Sequence, residues 1–217
     1  MKIGIIGAGF IGRAIAQLAM KQGHEVMVSN SRGPQTLMSL VASIGCLTGT
    51  AAQAAAFGEL VVVAIPLRNY LQVPVAPLVG KVVLDANNYY PERDGQMPEL
   101  ENQSITTSEL LARHLVGANI VKAFNSIRVN DLERDGMPAG APGRRALPIS
   151  GDDAQAKQQA AALIDQFGFD VVDAGSLAEG WRFQRGRPMY CERFDAAGLQ
   201  KALRENDEEH VISRKMR

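Results

Sequence analysis

The amino-acid sequence predicts an α/β protein built on a doubly wound parallel sheet. The amino-terminal part alternates apolar strand segments with amphipathic helical segments, the pattern of parallel strands joined by crossover helices. A glycine-rich run stands between the first strand and the first helix, and a shorter strand–helix–strand pattern follows a glycine- and proline-rich connection at residues 135–143. These features predict a Rossmann-type dinucleotide-binding domain at residues 1–142 and a small carboxyl-terminal α/β subdomain at residues 143–217.

The individual elements follow from hydrophobic periodicity and from the glycine and proline positions. The apolar run at residues 60–65 is typical of a central strand covered on both faces. Thr50 and Gln53 have capping-box spacing, and Asp152 is predicted to cap a helix that Gly168 ends. The predicted strands are residues 2–6, 25–29, 46–48, 60–65, 81–85, 119–123, 146–150 and 169–173. The predicted helices are residues 10–22, 35–43, 50–58, 153–167 and 194–204, with a short or kinked helix within residues 68–79.

The run Gly7-x-Gly9-x-x-Gly12 predicts a binding site for a dinucleotide pyrophosphate. Gly7 permits a tight turn, Gly9 lets the backbone approach the pyrophosphate, and Gly12 lets the helix pack closely on the strand. The free N–H groups at the start of that helix then face the phosphates. The alternative is an ordinary glycine-rich turn between a strand and a helix. The predicted cofactor contacts of this loop are Gly7, Ala8, Gly9, Phe10, Ile11 and Gly12.

The residues after the second strand favour NADP over NAD. An acidic residue about 20 positions after the glycines would accept a hydrogen bond from the 2′-hydroxyl of the NAD ribose. The chain instead has Asn30, Ser31 and Arg32. A guanidinium binds a 2′-phosphate in a forked geometry, whereas a carboxylate would repel it. The alternative is a solvated turn that carries an incidental arginine.

Composition excludes several classes of function. The 217 residues include 23 basic and 23 acidic side chains, so there is no basic field for nucleic acid. The longest apolar run, residues 60–67, is far shorter than the ~20 residues that span a bilayer, and the first strand leaves no room for a signal peptide. Cys46 and Cys191 have no partner at metal or redox spacing. We therefore expect a cytoplasmic protein with no metal, nucleic-acid partner or membrane partner.

Motifs also stand at the ends of the second, fourth, fifth and sixth predicted strands. They read NSRGP at residues 30–34, AIP at 64–66, DANN at 85–88 and VKAFN at 121–125. Together with the glycine loop, they resemble the NADP-dependent oxidoreductases of the coenzyme F420 reductase type, whose coenzyme is a deazaflavin. The module is also similar to the cytosolic part of the metalloreductases that carry a six-helix membrane domain. Segments 149–153 and 172–177 extend the resemblance over most of the chain.

The resemblance implies NADP and hydride exchange with a deazaflavin or flavin-type acceptor. Direct transfer needs two stacked rings and no acid–base triad, and the sequence shows no such triad. Two alternatives remain: a non-catalytic NADP(H)-binding redox sensor, and a dehydrogenase of small hydroxy acids. Members of the latter class resemble the chain at the glycine loop but carry a long all-helical carboxyl-terminal domain.

The strand-end motifs predict the rest of the site. Because loops at the carboxyl ends of parallel strands line the cofactor crevice, Ala64, Ile65 and Pro66 are expected to border the nicotinamide-side ribose. Pro66 has the alternative role of a plain strand terminator. The amide of Asn87 is expected to bind the ribose or the nicotinamide amide.

Lys122 and Asn125 are the predicted catalytic residues, since they could orient the nicotinamide amide or the acceptor carbonyl. Lys122 has the alternative of a solvated edge lysine. Residues 181–190 mix aromatic and cationic side chains and form either an acceptor site or an exposed loop packed by its aromatics. We expect a homodimer in which residues 182–204 contribute to the interface or to the acceptor cleft.

Overall fold

A computed structural model describes residues 1–215, and it describes the side chains of residues 1–205. The described residues form one eight-stranded sheet in the order β3-β2-β1-β4-β5-β6-β7-β8, with every neighbouring pair parallel except β6 and β7. This confirms the predicted Rossmann-type α/β fold, and the last two strands extend the same sheet. The strands are β1 (Lys2–Ile6), β2 (Glu25–Ser29), β3 (Leu47–Gly49), β4 (Leu60–Val63), β5 (Val82–Asp85), β6 (Asn119–Lys122), β7 (Ala146–Gly151) and β8 (Asp170–Asp173).

Helices cover both faces of the sheet. The α-helices are α1 (Phe10–Lys21), α2 (Met38–Ile44), α3 (Ala51–Phe57), α4 (Pro91–Asp94), α5 (Pro98–Glu101), α6 (Thr107–His114), α7 (Val129–Arg134), α8 (Ala154–Gln166) and α9 (Ala196–Lys215). Short 3-10 helices occupy Pro34–Leu37, Leu67–Gln72, Ala76–Leu78 and Leu177–Phe183. No helix in the described part of the chain is long and apolar enough to cross a membrane.

The central strand β4 shows why this sheet is doubly wound. Because successive side chains on a strand point to opposite faces, Val62 packs into one core with α1 and α8. Val61 and Val63 pack into a second core on the other face, next to Leu111 of α6. All of these side chains are buried, as predicted from the continuous apolar run.

The first turns of α3 and α8 show that local sequence predicts one helix cap correctly and the other incorrectly. Thr50 and Gln53 form the predicted capping box, each side chain accepting from the other residue's backbone N–H. The predicted cap of α8 is wrong: Asp153 caps this helix by accepting from the Ala156 N–H at 2.6 Å. Asp152 accepts from the Leu177 N–H at 2.9 Å instead, so a long-range contact uses its carboxylate.

Some helical segments differ from the predicted bounds or were not predicted. The segment after Gly33 begins as a 3-10 helix before α2. Where a short or kinked helix was predicted within residues 68–79, the chain forms two short 3-10 helices, Leu67–Gln72 and Ala76–Leu78. Helix α6 was missed, although its Thr106 and Glu109 form a second capping box. The division into two domains at residue 143 stays a prediction.

The segment after β8, residues 177–192, crosses the carboxyl ends of β5 and β6, and we call it the strap. Its Gly180 lies so close to β6 that an added Cβ would come within 2.7 Å of the Lys122 side chain. Phe183 of the strap is fully buried, and its carbonyl accepts from Asn125 Nδ2 at 3.0 Å. The strap therefore forms part of the wall at the edge of the sheet where ligands bind in this fold.

Candidate functional site

A cleft of about 310 Å³ opens at the carboxyl ends of β1, β2 and β4. It lies where the crevice of an open α/β sheet is expected, outside the ends of the strands. The structure brings together much of the predicted cofactor site in its lining. The predicted residues that line it are Gly7, Ala8, Gly9, Asn30, Ser31, Arg32, Ala64, Ile65 and Pro66.

The three glycines of the loop have different physical reasons to be glycine. Gly7 has φ of +115°, and a Cβ there would collide with the Ala64 carbonyl oxygen. A Cβ on Gly12 would collide with the carbonyl oxygen of Gly7, so the close packing of α1 on the loop depends on it. A Cβ on Gly9 would meet nothing within 4 Å. The space beside Gly9 is therefore open at the amino-terminal end of α1, where unpaired N–H groups favour an anion.

The turn after β2 is built by Asn30 and presents two exposed side chains. Asn30 Oδ1 accepts from the Arg32 N–H at 3.0 Å, and its Nδ2 donates to Thr36 Oγ1 at 2.8 Å. Ser31 and Arg32 are exposed at the rim of the cleft. None of the described residues that line the cleft is acidic. This rim therefore suits a phosphate monoester better than a ribose hydroxyl that needs an acceptor.

The opposite wall of the cleft includes residues that sequence analysis missed. Asn69, Gln72 and Val73 line it from the 3-10 helix Leu67–Gln72 and the residue that follows. Pro66 immediately precedes this helix, so the AIP motif both ends the β4 segment and begins the wall. The available signal was the pair of amide side chains, Asn69 and Gln72, three and six residues after Pro66.

Other predicted cofactor residues do not line the cleft. Phe10 is 82% exposed on the first turn of α1. Ile11 is partly buried against the core, and Gly12 is buried beneath the loop. Asn87, Lys122 and Asn125 lie beside the cleft, at the ends of β5 and β6, rather than in its lining.

Asn87 supports the cleft from behind. Its Oδ1 accepts from the Ile65 N–H at 2.8 Å, and its own N–H donates to Asp85 Oδ1 at 3.0 Å. Its Nδ2 is buried and has no hydrogen-bond partner among the described residues. A buried donor without a partner costs about 1–3 kcal/mol, so a group that accepts from this amide would recover that energy.

Lys122 is fully buried, which excludes the alternative of a solvated edge lysine. Its Nζ donates to Thr107 Oγ1 at 2.8 Å and to Ser108 Oγ and the Asn87 carbonyl, each at 3.3 Å. Asp85 Oδ2 lies 3.9 Å away. Burial lowers the pKa of the Lys122 ammonium, and the Asp85 carboxylate acts in the opposite direction. Lys122 is thus placed to hold Asn87 rather than to enter the cleft.

Asn125 is interlocked with Asn88 across the ends of β6 and β5. Asn88 Nδ2 donates to the Asn125 carbonyl at 2.8 Å, and Asn125 Nδ2 donates to Asn88 Oδ1 at 3.3 Å and to Phe183. Asn125 Oδ1 is buried without a described partner. An unpaired donor on Asn87 and an unpaired acceptor on Asn125 match the two hydrogen-bonding groups of a carboxamide. A carboxamide such as that of nicotinamide would complement these two groups.

The strap is anchored rather than loose. Arg185 pairs with Glu92 at 2.7 Å and lies over the Tyr90 ring, 4.5 Å from its centroid. Arg187 lies over the Trp181 ring at 4.7 Å. Phe183 packs into the core, in keeping with the alternative of a loop packed by its aromatics, and the alternative of an acceptor site stays a prediction.

Fold and cleft define a Rossmann-type dinucleotide-binding protein, and comparison with known proteins defines the family. Residues 2–89 match the family model described as NADP oxidoreductase, coenzyme F420-dependent. A hypothetical protein from Sinorhizobium meliloti has a similar structure, with 30% identity, a TM-score of 0.77 and coverage of 89% of this chain and 95% of that one. The chain belongs to this family of NADP oxidoreductases. The family is NADP(H)-dependent, and NADP is the cofactor predicted from the sequence.

Two further relatives show the range of the family. A candidate F420-dependent NADP reductase from Arthrobacter sp. FB24 is 28% identical, with a TM-score of 0.71 and coverage of 83% of this chain and 88% of that one. The metalloreductase STEAP3 of Rattus norvegicus is 29% identical over 180 residues, which is 82% of this chain and 34% of that protein. The chain matches only about a third to a half of the length of its curated relatives.

Proposed function

We propose that the protein transfers hydride directly between NADPH and a flat, conjugated acceptor of the deazaflavin or flavin type. The observation that carries this proposal is the pair of unpartnered amide groups of Asn87 and Asn125 beside the cleft. They are neutral groups that can orient a carboxamide, and they cannot act as a nucleophile or a strong acid. A site of this composition suits a reaction that depends on ring placement.

Each part of the cleft has a role in holding the cofactor. Ser31 and Arg32 would bind the 2′-phosphate, and the open space at Gly9 would admit the pyrophosphate to the amino-terminal end of α1. Ile65 and Pro66 would border the nicotinamide-side ribose. When bound, NADPH supplies the hydride from C4 of its nicotinamide ring.

Lys122 and Asp85 would act on the reaction through Asn87. The ammonium donates to the Asn87 carbonyl, and the carboxylate accepts from the Asn87 N–H. Both contacts fix the backbone of Asn87, and the position of its unpaired Nδ2 depends on that backbone. Asn125 is held by Phe183 and Asn88 in the orientation that leaves its oxygen unpaired. We therefore assign Asn125 to orienting the rings and Lys122 to positioning Asn87.

The test is transfer of a label. NADPH carrying deuterium at the transferred C4 position should deliver deuterium to C5 of a reduced 8-hydroxy-5-deazaflavin, where the label is bound to carbon and does not exchange with water. With a flavin as acceptor the label exchanges from nitrogen, so the readout there is a primary isotope effect on the single-turnover rate. Asn125→Ala should reduce turnover more than it reduces NADPH affinity. Failure to oxidise NADPH with deazaflavins, flavins, quinones and ferric chelates would contradict the proposal and favour a redox sensor that binds NADP(H) without turnover.

Assembly is a separate part of the proposal. We propose a homodimer in which residues 182–204, which include most of the strap and the first turns of α9, contribute to the interface or to the acceptor side of the cleft. Support comes from the position of the strap across the ends of β5 and β6.

A further inference from the structure

One wall of the cleft carries two amide side chains that have no hydrogen-bond partner among the described residues. Asn69 and Gln72 line the cleft from the 3-10 helix Leu67–Gln72, where Asn69 is half-buried and Gln72 is exposed. An amide side chain can donate and accept hydrogen bonds at the same time. Both side chains are therefore free to bind a ligand that lies along this wall.

The helix geometry places these two side chains in one row with Pro66. A 3-10 helix has three residues per turn, so side chains three positions apart eclipse one another. Pro66, Asn69 and Gln72 have this spacing, and the Asn69 N–H donates to the Pro66 carbonyl at 3.0 Å. With a rise of about 2 Å per residue, Gln72 stands about 12 Å along the wall from Pro66. The row therefore extends from the nicotinamide-side ribose, assigned to Pro66, toward the other end of the cleft.

That other end of the cleft is the adenosine end. The strand order β3-β2-β1-β4 puts Arg32 and Ala51, which follow β2 and β3, on one side of the glycine loop, whereas Pro66 follows β4 on the other side. Val73, directly after Gln72, lines the cleft and packs in the same apolar cluster as Ala51. Gln72 therefore lies toward the side at which Arg32 would bind the 2′-phosphate, and the adenine is attached to the ribose that carries this phosphate.

The backbone that carries Gln72 is fixed by contacts with α6. The Val73 N–H donates to the Tyr70 carbonyl at 3.2 Å, and the Val73 carbonyl accepts from His114 Nε2 at 2.8 Å. The Tyr70 ring packs edge-on against the His114 ring, with the two centroids 5.9 Å apart. Because the backbone is held on both sides of Gln72, its amide projects from a fixed position on the cleft wall.

We propose that Gln72 hydrogen-bonds the adenine of NADP and makes the protein selective for this base. The inference rests on the placement of NADP in the proposed function. Adenine presents an amino donor beside a ring-nitrogen acceptor, and a glutamine amide presents the complementary oxygen and N–H groups. Ala51 and Val73 make this end of the cleft apolar, which suits a flat base. Hypoxanthine has a carbonyl oxygen in place of the amino group, so it cannot donate to the amide oxygen of Gln72.

The test compares two dinucleotides that differ only in the base. NADP+ and nicotinamide hypoxanthine dinucleotide phosphate are titrated into the wild type and its variants by calorimetry. The wild type should bind NADP+ about 5- to 20-fold more tightly, in the lower part of the range for one bidentate base contact because Gln72 is exposed. Gln72→Leu should bring the two affinities close to equality, mainly by weakening NADP+ binding. Urea unfolding of Gln72→Leu should match the wild type, because the amide has no hydrogen-bond partner in the described part of the chain.

Asn69→Leu is the matched control, because it removes an amide from the same row one helical turn away. It should leave the ratio of the two affinities unchanged, since Asn69 lies nearer to the middle of the dinucleotide. A pair of fragments without the nicotinamide ring, 2′-phosphoadenosine 5′-phosphate and its inosine counterpart, should reproduce the wild-type ratio. The same fragments should show little preference in Gln72→Leu.

The outcomes separate the inference from the proposed function, because none of these titrations requires turnover. Equal wild-type affinities for the two dinucleotides, or an unchanged ratio in Gln72→Leu, would overturn the role of Gln72. A ratio that changes in Asn69→Leu, or that the fragments do not reproduce, would place base recognition elsewhere and also overturn it. Transfer of the deuterium label without base selectivity would leave hydride transfer standing. Base selectivity that Gln72→Leu loses, without label transfer in the wild type, would support the role of Gln72 and contradict the proposed function.

Discussion

The glycine loop and the strap both border the ligand edge of the sheet, but they are held there by different forces. In the loop, the constraints are backbone contacts: side chains at Gly7 and Gly12 are excluded by the carbonyl oxygens of Ala64 and Gly7. In the strap, the constraints are side-chain hydrogen bonds such as those of Asn125 with Phe183 and of Tyr90 with Tyr190. The loop therefore requires particular residue types within a few positions, whereas the strap requires partners that are distant in sequence.

This difference indicates which part of the site tolerates substitutions, in evolution or in design. A loop whose shape depends on backbone clearance can hold one ligand group, the pyrophosphate, in a single orientation. A strap held by side chains can exchange those side chains and change the acceptor while the sheet beneath stays the same. We therefore expect cofactor choice to depend on the loop and the β2 turn, and acceptor choice to depend on the strap.

The largest effect on cofactor binding is expected at Gly9, the loop glycine with open space beside it. Gly9→Val should reduce NADPH affinity by at least 100-fold, roughly 2.7 kcal/mol, because the branched side chain would occupy the approach of the pyrophosphate. Folding should be unaffected, since a Cβ at Gly9 meets nothing within 4 Å and its φ of −73° suits any residue. Fluorescence titration with NADPH and urea unfolding measure the two quantities.

Gly12→Ala is the contrasting variant for this comparison. Its added methyl group meets the carbonyl oxygen of Gly7, so it should lower the free energy of unfolding before any ligand is added. Wild-type affinity in folded Gly9→Val would show that the loop is only structural. If Gly12→Ala is as stable as the wild type, Gly12 is not needed for the packing of α1 on the loop. That result would contradict the assignment of Gly12 to packing and of Gly9 to ligand binding.

A large effect on stability is expected beneath the strap, at Lys122. Lys122→Met should lower the free energy of unfolding by about 3–5 kcal/mol, because it leaves the buried Asp85 carboxylate without its cation. Asp85→Asn in the same chain should recover part of this loss, since the uncharged amide keeps an oxygen that accepts from the Asn87 N–H. Urea unfolding of the two single variants and the double variant measures the coupling.

A loss below about 1 kcal/mol in Lys122→Met would mean that the buried ammonium contributes little and that the strap packs independently of it. Additive losses in the double variant would show that Lys122 and Asp85 do not interact energetically. Either result would weaken the assignment of Lys122 as the residue that positions Asn87.

Sequence reasoning identified the fold, and it named residues of the glycine loop and the β2 turn that line the cleft, because both are encoded locally. The apolar run of β4, the glycine spacing and the Asn30 turn each act within about ten residues. The wall formed by Asn69 and Gln72 was missed because proline-interrupted 3-10 turns give no helical periodicity. Helix α6 was missed despite the capping-box spacing of its first turn.

The contacts of the strap could not be predicted because they join residues far apart in the chain. Tyr190 contacts Tyr90 at a separation of 100 residues, and Asn125 contacts Phe183 at a separation of 58. The burial of Lys122 could not be predicted either, because it depends on Thr107 and Ser108 of α6 and on Gly180 of the strap, two segments that are distant from Lys122 in sequence. Asp152 likewise matched a local cap pattern that a long-range contact with Leu177 overrides.

A smaller effect is expected at the rim of the cleft, where Arg32 tests the choice of cofactor. Arg32→Ala should weaken NADPH binding by about 1–3 kcal/mol, the scale of a charge-assisted hydrogen bond, and should barely change NADH binding. The arginine is exposed and lies on a turn that Asn30 holds through the Arg32 backbone N–H, so the turn should survive loss of the side chain.

Arg134→Ala, which removes an exposed arginine from the last turn of α7, is the matched control for loss of one positive charge. The affinities of wild type and both variants for NADPH and NADH, titrated at two salt concentrations, separate a specific phosphate contact from a general field. If the contact is specific, only Arg32→Ala should reduce the ratio of NADPH affinity to NADH affinity. Equal wild-type affinities for the two cofactors would contradict the assignment of the β2 turn as the 2′-phosphate site and would leave the Gly9 loop as the sole basis for cofactor binding.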